Sequence, residues 1–121
     1  AIRYDVGERS NFILLPMFVA SLGLVLEWTP EGVREYCRRL GETLIREAVS
    51  IGFSLEQDEW RAAHLFGLRM PEGLDLTALK AELEARKIFV SLRGSALRVS
   101  PHLYNDEDDV GALIDALRAV V

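Results

Sequence analysis

The stretch Ala96-Leu97-Arg98-Val99-Ser100-Pro101-His102-Leu103-Tyr104-Asn105 decides how the rest of the chain is read. Leu97 and Val99 alternate with Arg98 and Ser100, the two-residue period of a half-buried strand, which places the strand at Ala96 to Ser100. Pro101 has no backbone N–H to give to a ladder and ends it. The polar residue Asn105 then stands where a helix would be capped, ahead of the acidic run Asp106 to Asp109, with Asp108 at the capping-box position. Val110, Leu113, Ile114 and Leu117 follow at helical spacing and form the inner face of a last helix.

Working back from this stretch, Arg93-Gly94-Ser95 is a tight turn and Ile88-Phe89-Val90-Ser91-Leu92 is a strand rich in branched and aromatic residues, so the two strands form a hairpin. Asp75 caps a short helix that turns Leu76, Leu79 and Leu83 inward. Pro71-Glu72-Gly73 breaks the chain before it, after a first strand within Arg61 to Met70 centred on Ala63-His64-Leu65-Phe66-Gly67-Leu68. Thr29-Pro30-Glu31 opens an amphipathic helix: an N-cap, proline at the first helical position, and an acid in the first turn. Val33, Cys37, Leu40, Leu44, Ala48 and Ile51 share one face of it. Arg34, Glu35, Arg38, Arg39, Glu42 and Arg46 share the other, with Glu35–Arg39 and Glu42–Arg46 spaced for ion pairs and Gly52 as the stop. Phe12 to Leu26 is the most apolar run, a helix capped by Ser10 or Asn11 with Pro16 near its start, and residues 1–11 are a polar, extended lead-in. The order is α-α-β-α-β-β-α, an α+β domain with helices packed on one face of a small antiparallel sheet. There is no internal repeat and no low-complexity linker.

A chain of 121 residues, half of them hydrophobic, has enough apolar material for one core. Its net charge is −5 and its basic residues are scattered, which argues against a nucleic-acid partner. The single cysteine, Cys37, cannot form an internal disulfide and suits a reducing cytoplasm. Phe12 to Leu26 falls short of the roughly 20 residues of a membrane span. It reads instead as a helix covered on most faces, by another domain or another subunit. Nothing at Ala1 resembles a secretory signal, and a start without methionine is what a piece of a longer protein would show.

The residues alone give no catalytic set. His64 and His102 lack partners at metal-ligand spacing, so no metal is expected. Cys37 lies on the apolar side of its helix, and Lys80 and Lys87, the two lysines, sit in polar company. Arg98 has two readings: an exposed strand arginine paired with an acid, or a guanidinium fork placed at a strand end to clamp a carboxylate.

Leu97-Arg98-Val99-Ser100-Pro101-His102-Leu103-Tyr104-Asn105 with its acidic helix start resembles the C-terminal signature of the class V aminotransferases, a group that includes kynureninases and cysteine desulfurases. Arg3-Tyr4-Asp5-Val6-Gly7-Glu8-Arg9-Ser10-Asn11-Phe12, with Leu15-Pro16-Met17, and Arg61-Ala62-Ala63-His64-Leu65 are similar to the group in the same order. The resemblance implies the fold-type I architecture, in which pyridoxal phosphate is held by a large domain and residues 1–121 are the C-terminal small domain, 1–11 leading in from the large one. It implies that Arg98 binds the α-carboxylate of an amino-acid substrate. It also implies that Gly7 to Asn11 approaches the cofactor phosphate, with Ser10 and Asn11 on the phosphate side, commonly across a homodimer interface. The group's usual Gly-Thr pair reads Gly7-Glu8 here. The Schiff-base lysine and the acid on the pyridine nitrogen belong to the large domain, so this chain alone is expected to be inactive and to bind no cofactor. Cysteine desulfurases carry their cysteine near the Arg93-Gly94-Ser95 turn, which has none, so that chemistry is disfavoured and transamination, a lyase reaction and epimerisation stay open. The competing reading is a free-standing, non-catalytic ligand-binding or interaction module of the same fold. A ferredoxin-like regulatory domain fits less well, because two helices precede the first strand.

Overall fold

The computed structural model describes residues 12–121. The chain divides into two compact units, 1–32 and 33–121. Within the first, helix α1 runs Leu14–Trp28, and every residue in it is exposed. Ile13 takes the N-cap position of α1 without a side-chain hydrogen bond. The capping expected of Ser10 or Asn11 lies outside the described residues. Thr29 separates α1 from helix α2 (Pro30–Ser50) and caps it as the sequence predicts: Thr29 Oγ1 accepts a hydrogen bond from the Gly32 N–H at 3.0 Å.

The second unit is built on a three-stranded antiparallel sheet, in the order β1 (Phe66–Arg69), β3 (Ala96–Val99), β2 (Ser91–Arg93). Leu97 stands opposite Leu68 on one side and Leu92 on the other; Arg98 stands opposite Gly67 and Ser91. Because side chains alternate along a strand, this register sends Phe66, Leu68, Leu92, Leu97 and Val99 to one face and Gly67, Arg69, Ser91, Arg93, Ala96 and Arg98 to the other. The first set joins the core with Leu44 and Ala48 of α2, Leu79 and Leu83 of α3 (Leu76–Ala85), and Leu113, Ile114, Ala116 and Leu117 of α4 (Glu107–Arg118). The fold is therefore α+β, as expected.

Local chemistry sets the boundaries. Gly52, at φ +97°, ends α2 with its own N–H bonded to the Val49 carbonyl and that of Phe53 to Ala48, the paired bonds of a Schellman stop. Asp75 caps α3 by accepting from the Thr77 and Ala78 N–H groups. Gly94, at φ +57°, occupies the first central position of the two-residue β2–β3 connection, where a left-handed residue matches the strand twist.

Several details differ from the sequence reading. β1 begins at Phe66, and His64 lies in the turn bridged by Ala62 and Leu65. Ile88 to Val90 stay outside β2, because Ile88 is spent on closing α3: its N–H bonds to the Leu83 carbonyl at 2.8 Å. Leu76 is exposed, being the first residue of α3 and ahead of its buried stripe. The N-cap of α4 is Asp106, whose carboxylate accepts from the Asp108 and Asp109 N–H groups; Asp109, one residue beyond the expected Asp108, completes the capping box. Asn105 sits one step outside, where Oδ1 accepts from the His102 N–H and Nδ2 donates to Asp109. On α2 the expected Glu35–Arg39 and Glu42–Arg46 pairs are replaced by Arg38, which bridges Glu35 and Glu42.

Candidate functional site

The outward face of the sheet carries the candidate site. Arg98 occupies the central strand, with Gly67 on one side and Ser91 on the other, neither of which covers it. The row before it is Arg69–Ala96–Arg93. Three arginines therefore surround the small Ala96 on one face of one sheet. Arg61, whose side chain is only 17% exposed, approaches from the segment before β1, and Trp60 beside it is exposed. Apart from Ser91, these residues line an open groove of about 360 Å³.

The charges in the groove are unevenly satisfied. Arg61 is held by Asp58 and by the Glu56 carbonyl, and Arg69 by the Glu56 carboxylate at 3.0 Å. Arg98 donates to Ser91 Oγ at 3.4 Å, and among the described residues neither Arg98 nor Arg93 has a carboxylate partner. The expectation of an exposed arginine paired with an acid is thus not what the sheet shows for Arg98. A guanidinium with no acid of its own is free to take one from a ligand in a two-pronged bond.

The rest of the signature stretch serves the scaffold. Tyr36 of α2 donates its hydroxyl hydrogen to the Asn105 carbonyl at 2.7 Å, and the buried Cys37 thiol lies 3.4 Å from the Pro101 carbonyl. Burial pushes the Cys37 thiol pKa up, which suits a core residue and not a nucleophile. Ser100 Oγ donates to the His64 carbonyl at 3.4 Å, and the His102 and Tyr104 rings stack at 5.5 Å. These contacts anchor the strand exit to α2 and to the turn before β1, and so fix the end of the strand that presents Arg98. On the far side of α2, the Arg38 guanidinium holds the exposed Glu35 carboxyl below the usual carboxylate range.

Among the described residues, no group of three or more His, Cys, Asp or Glu side chains comes together to hold a metal, and no helix is long and apolar enough to cross a membrane. Lys80 and Lys87 are exposed, and neither lines the arginine groove. Ser10 and Asn11, assigned to the phosphate side by the resemblance, lie outside the described residues. Sequence reasoning singled out Arg98 and did not single out Arg61, Arg69 and Arg93, which line the same groove. The signal was present in the hairpin: a two-residue turn puts Arg93 opposite Ala96, on the same face as Arg98.

No protein-family model matches the chain, and no curated protein matches it in sequence. Its fold is similar to a solved structure described as alanine–glyoxylate aminotransferase from Nostoc sp., with a TM-score of 0.69 and 20% sequence identity. The likeness covers 98% of this chain and 34% of that one, so the chain spans about a third of the length of the protein it matches.

Proposed function

We propose that this chain is the small C-terminal domain of a pyridoxal-phosphate-dependent enzyme of the class V aminotransferase type, in which Arg98 binds the carboxylate of an amino-acid substrate. The observation that carries this reading is the match of nearly the whole chain to one third of an aminotransferase. Arg98 supports it from the site: it is an arginine on an open sheet face, without an acid partner among the described residues. The helix α1 supports the need for a larger assembly. It is apolar on every side, and a helix of that kind is stable when other protein encloses it. In this reading the large domain supplies the Schiff-base lysine and most of the cofactor contacts, and its surface or that of a second subunit in a cytoplasmic homodimer covers α1. Pyridoxal phosphate would supply the electron sink, while this chain would orient the substrate.

A second reading, a free-standing ligand-binding module, is favoured by one observation: residues 33–121 have a closed core of their own. Two measurements separate the readings. Extending the coding sequence upstream should reveal a large α/β domain with a lysine for the cofactor; an unrelated or non-coding upstream region sinks the enzyme reading. Titration of the 121-residue chain with propionate, followed by amide chemical shifts, should move the β3 signals, and Arg98→Gln should remove the effect. Propionate binding that is indifferent to Arg98→Gln would refute the carboxylate role in either reading.

A further inference from the structure

Resting on the carboxylate role of Arg98, we propose that Arg93 and Arg98 together form a two-anion site, so that the preferred ligand carries a second acid group, a carboxylate or a phosphate, besides the carboxylate held by Arg98. The geometry starts from the strand register. Arg93 and Arg69 flank Ala96 from the two neighbouring strands, and Arg98 lies two residues along from Ala96 on the same face. Each is therefore a diagonal neighbour of Arg98, with side-chain origins roughly 7–8 Å apart, within reach of long side chains. Ala96 and Gly67 leave the floor between them low.

The charge balance selects which arginine is the second anchor. Four arginines line the groove, and Glu56 and Asp58 neutralise Arg69 and Arg61. Arg93 has no ion pair or side-chain hydrogen bond among the described residues. Two like charges on neighbouring strands repel, and the Glu56 carboxylate that lines the groove is paired with Arg69 and with neither Arg93 nor Arg98. This surplus of positive charge sits on a chain whose net charge is −5. A ligand with two acid groups removes the repulsion and gains a forked bond at each guanidinium. A ligand with one acid group leaves the second arginine unsatisfied. Trp60 and Leu65 at the rim offer apolar surface to the carbon chain between the two acids.

Isothermal calorimetry of the 121-residue chain at low salt tests this with propionate, glutarate and 3-phosphonopropionate. The two diacids should bind about tenfold or more tightly than propionate, since the second charge-assisted contact is made only by them. Arg93→Gln should reduce the diacids to about the propionate level, a clearly larger loss than it causes for propionate itself. Lys80→Gln, which removes an exposed cation outside the groove, should alter neither. Phosphonate ahead of glutarate identifies a phosphate as the second acid, and the reverse a carboxylate; both support the site. A diacid preference untouched by Arg93→Gln, or lowered as much by Lys80→Gln, overturns it. Arg98→Gln reports separately: if it spares propionate while Arg93→Gln still lowers the diacids, it is the carboxylate role of Arg98 that fails.

Discussion

Leu97 and Arg98 are neighbours on the central strand with opposite duties, and their substitutions should separate accordingly. Leu97 is fully buried and touches a leucine position on each side, Leu68 in β1 and Leu92 in β2. Leu97→Ala leaves a cavity in the middle of the sheet, where three strands limit collapse, and such substitutions cost about 2–5 kcal/mol. The upper part of that range applies here, so a loss of about 3–5 kcal/mol is expected, a large share of the roughly 5–15 kcal/mol that holds a domain together. For a unit the size of residues 33–121 this lowers the melting temperature by about 15–30 °C. Arg98 is exposed, and Arg98→Gln should change stability by no more than about 0.5 kcal/mol. Urea unfolding followed by circular dichroism measures both. If Leu97→Ala costs less than about 1 kcal/mol while Arg98→Gln costs more, the strand is paired one residue out of register, because a single-residue slip exchanges the two faces. The arginine groove would then not exist.

Two further predictions concern α4 and the core thiol. Asp106→Ala should cost about 1 kcal/mol of stability in urea unfolding, since two N–H groups lose their acceptor, and Asp108→Ala should cost clearly less; equal losses would refute the cap position. Burial raises the native pKa of Cys37 above that of the unfolded thiol, so the folded state holds this proton more tightly. Its contribution is complete below the unfolded value of about 8.5 and is lost as pH rises through the higher native value. The urea midpoint should fall over that alkaline window and fall less in Cys37→Ala; identical pH profiles would show that the thiol is not desolvated.

The helices were legible because their signals are local. The stripe of Cys37, Leu40, Leu44 and Ala48 on α2, the Thr29 and Asp75 caps and the Gly52 stop are each contained within a few residues, and the structure keeps all of them. The strand limits were less legible because they depend on partners. β2 is short because the chain before it first closes α3, and β1 starts late because Ala62–Leu65 forms a turn. At α4, Asn105 and Asp106 are both good caps by residue type. The choice fell to Asp106 because Asn105 is already engaged by the His102 N–H and its carbonyl by Tyr36.

The site was less legible still, for a reason specific to sheets. A helix announces both of its faces in one segment, whereas a sheet face is assembled from residues that are far apart in the chain. Arg69, Arg93 and Arg98 look like three unrelated exposed arginines until the register sets Arg69 and Arg93 on either side of Ala96. The register itself follows from the buried face, where Leu68, Leu92 and Leu97 must align to exclude water. The core thus fixes the spacing of the charges opposite it. Changing the inward residues of β3 would move the arginine groove without touching any arginine, and the sheet's stability and its capacity for anions are set by one register.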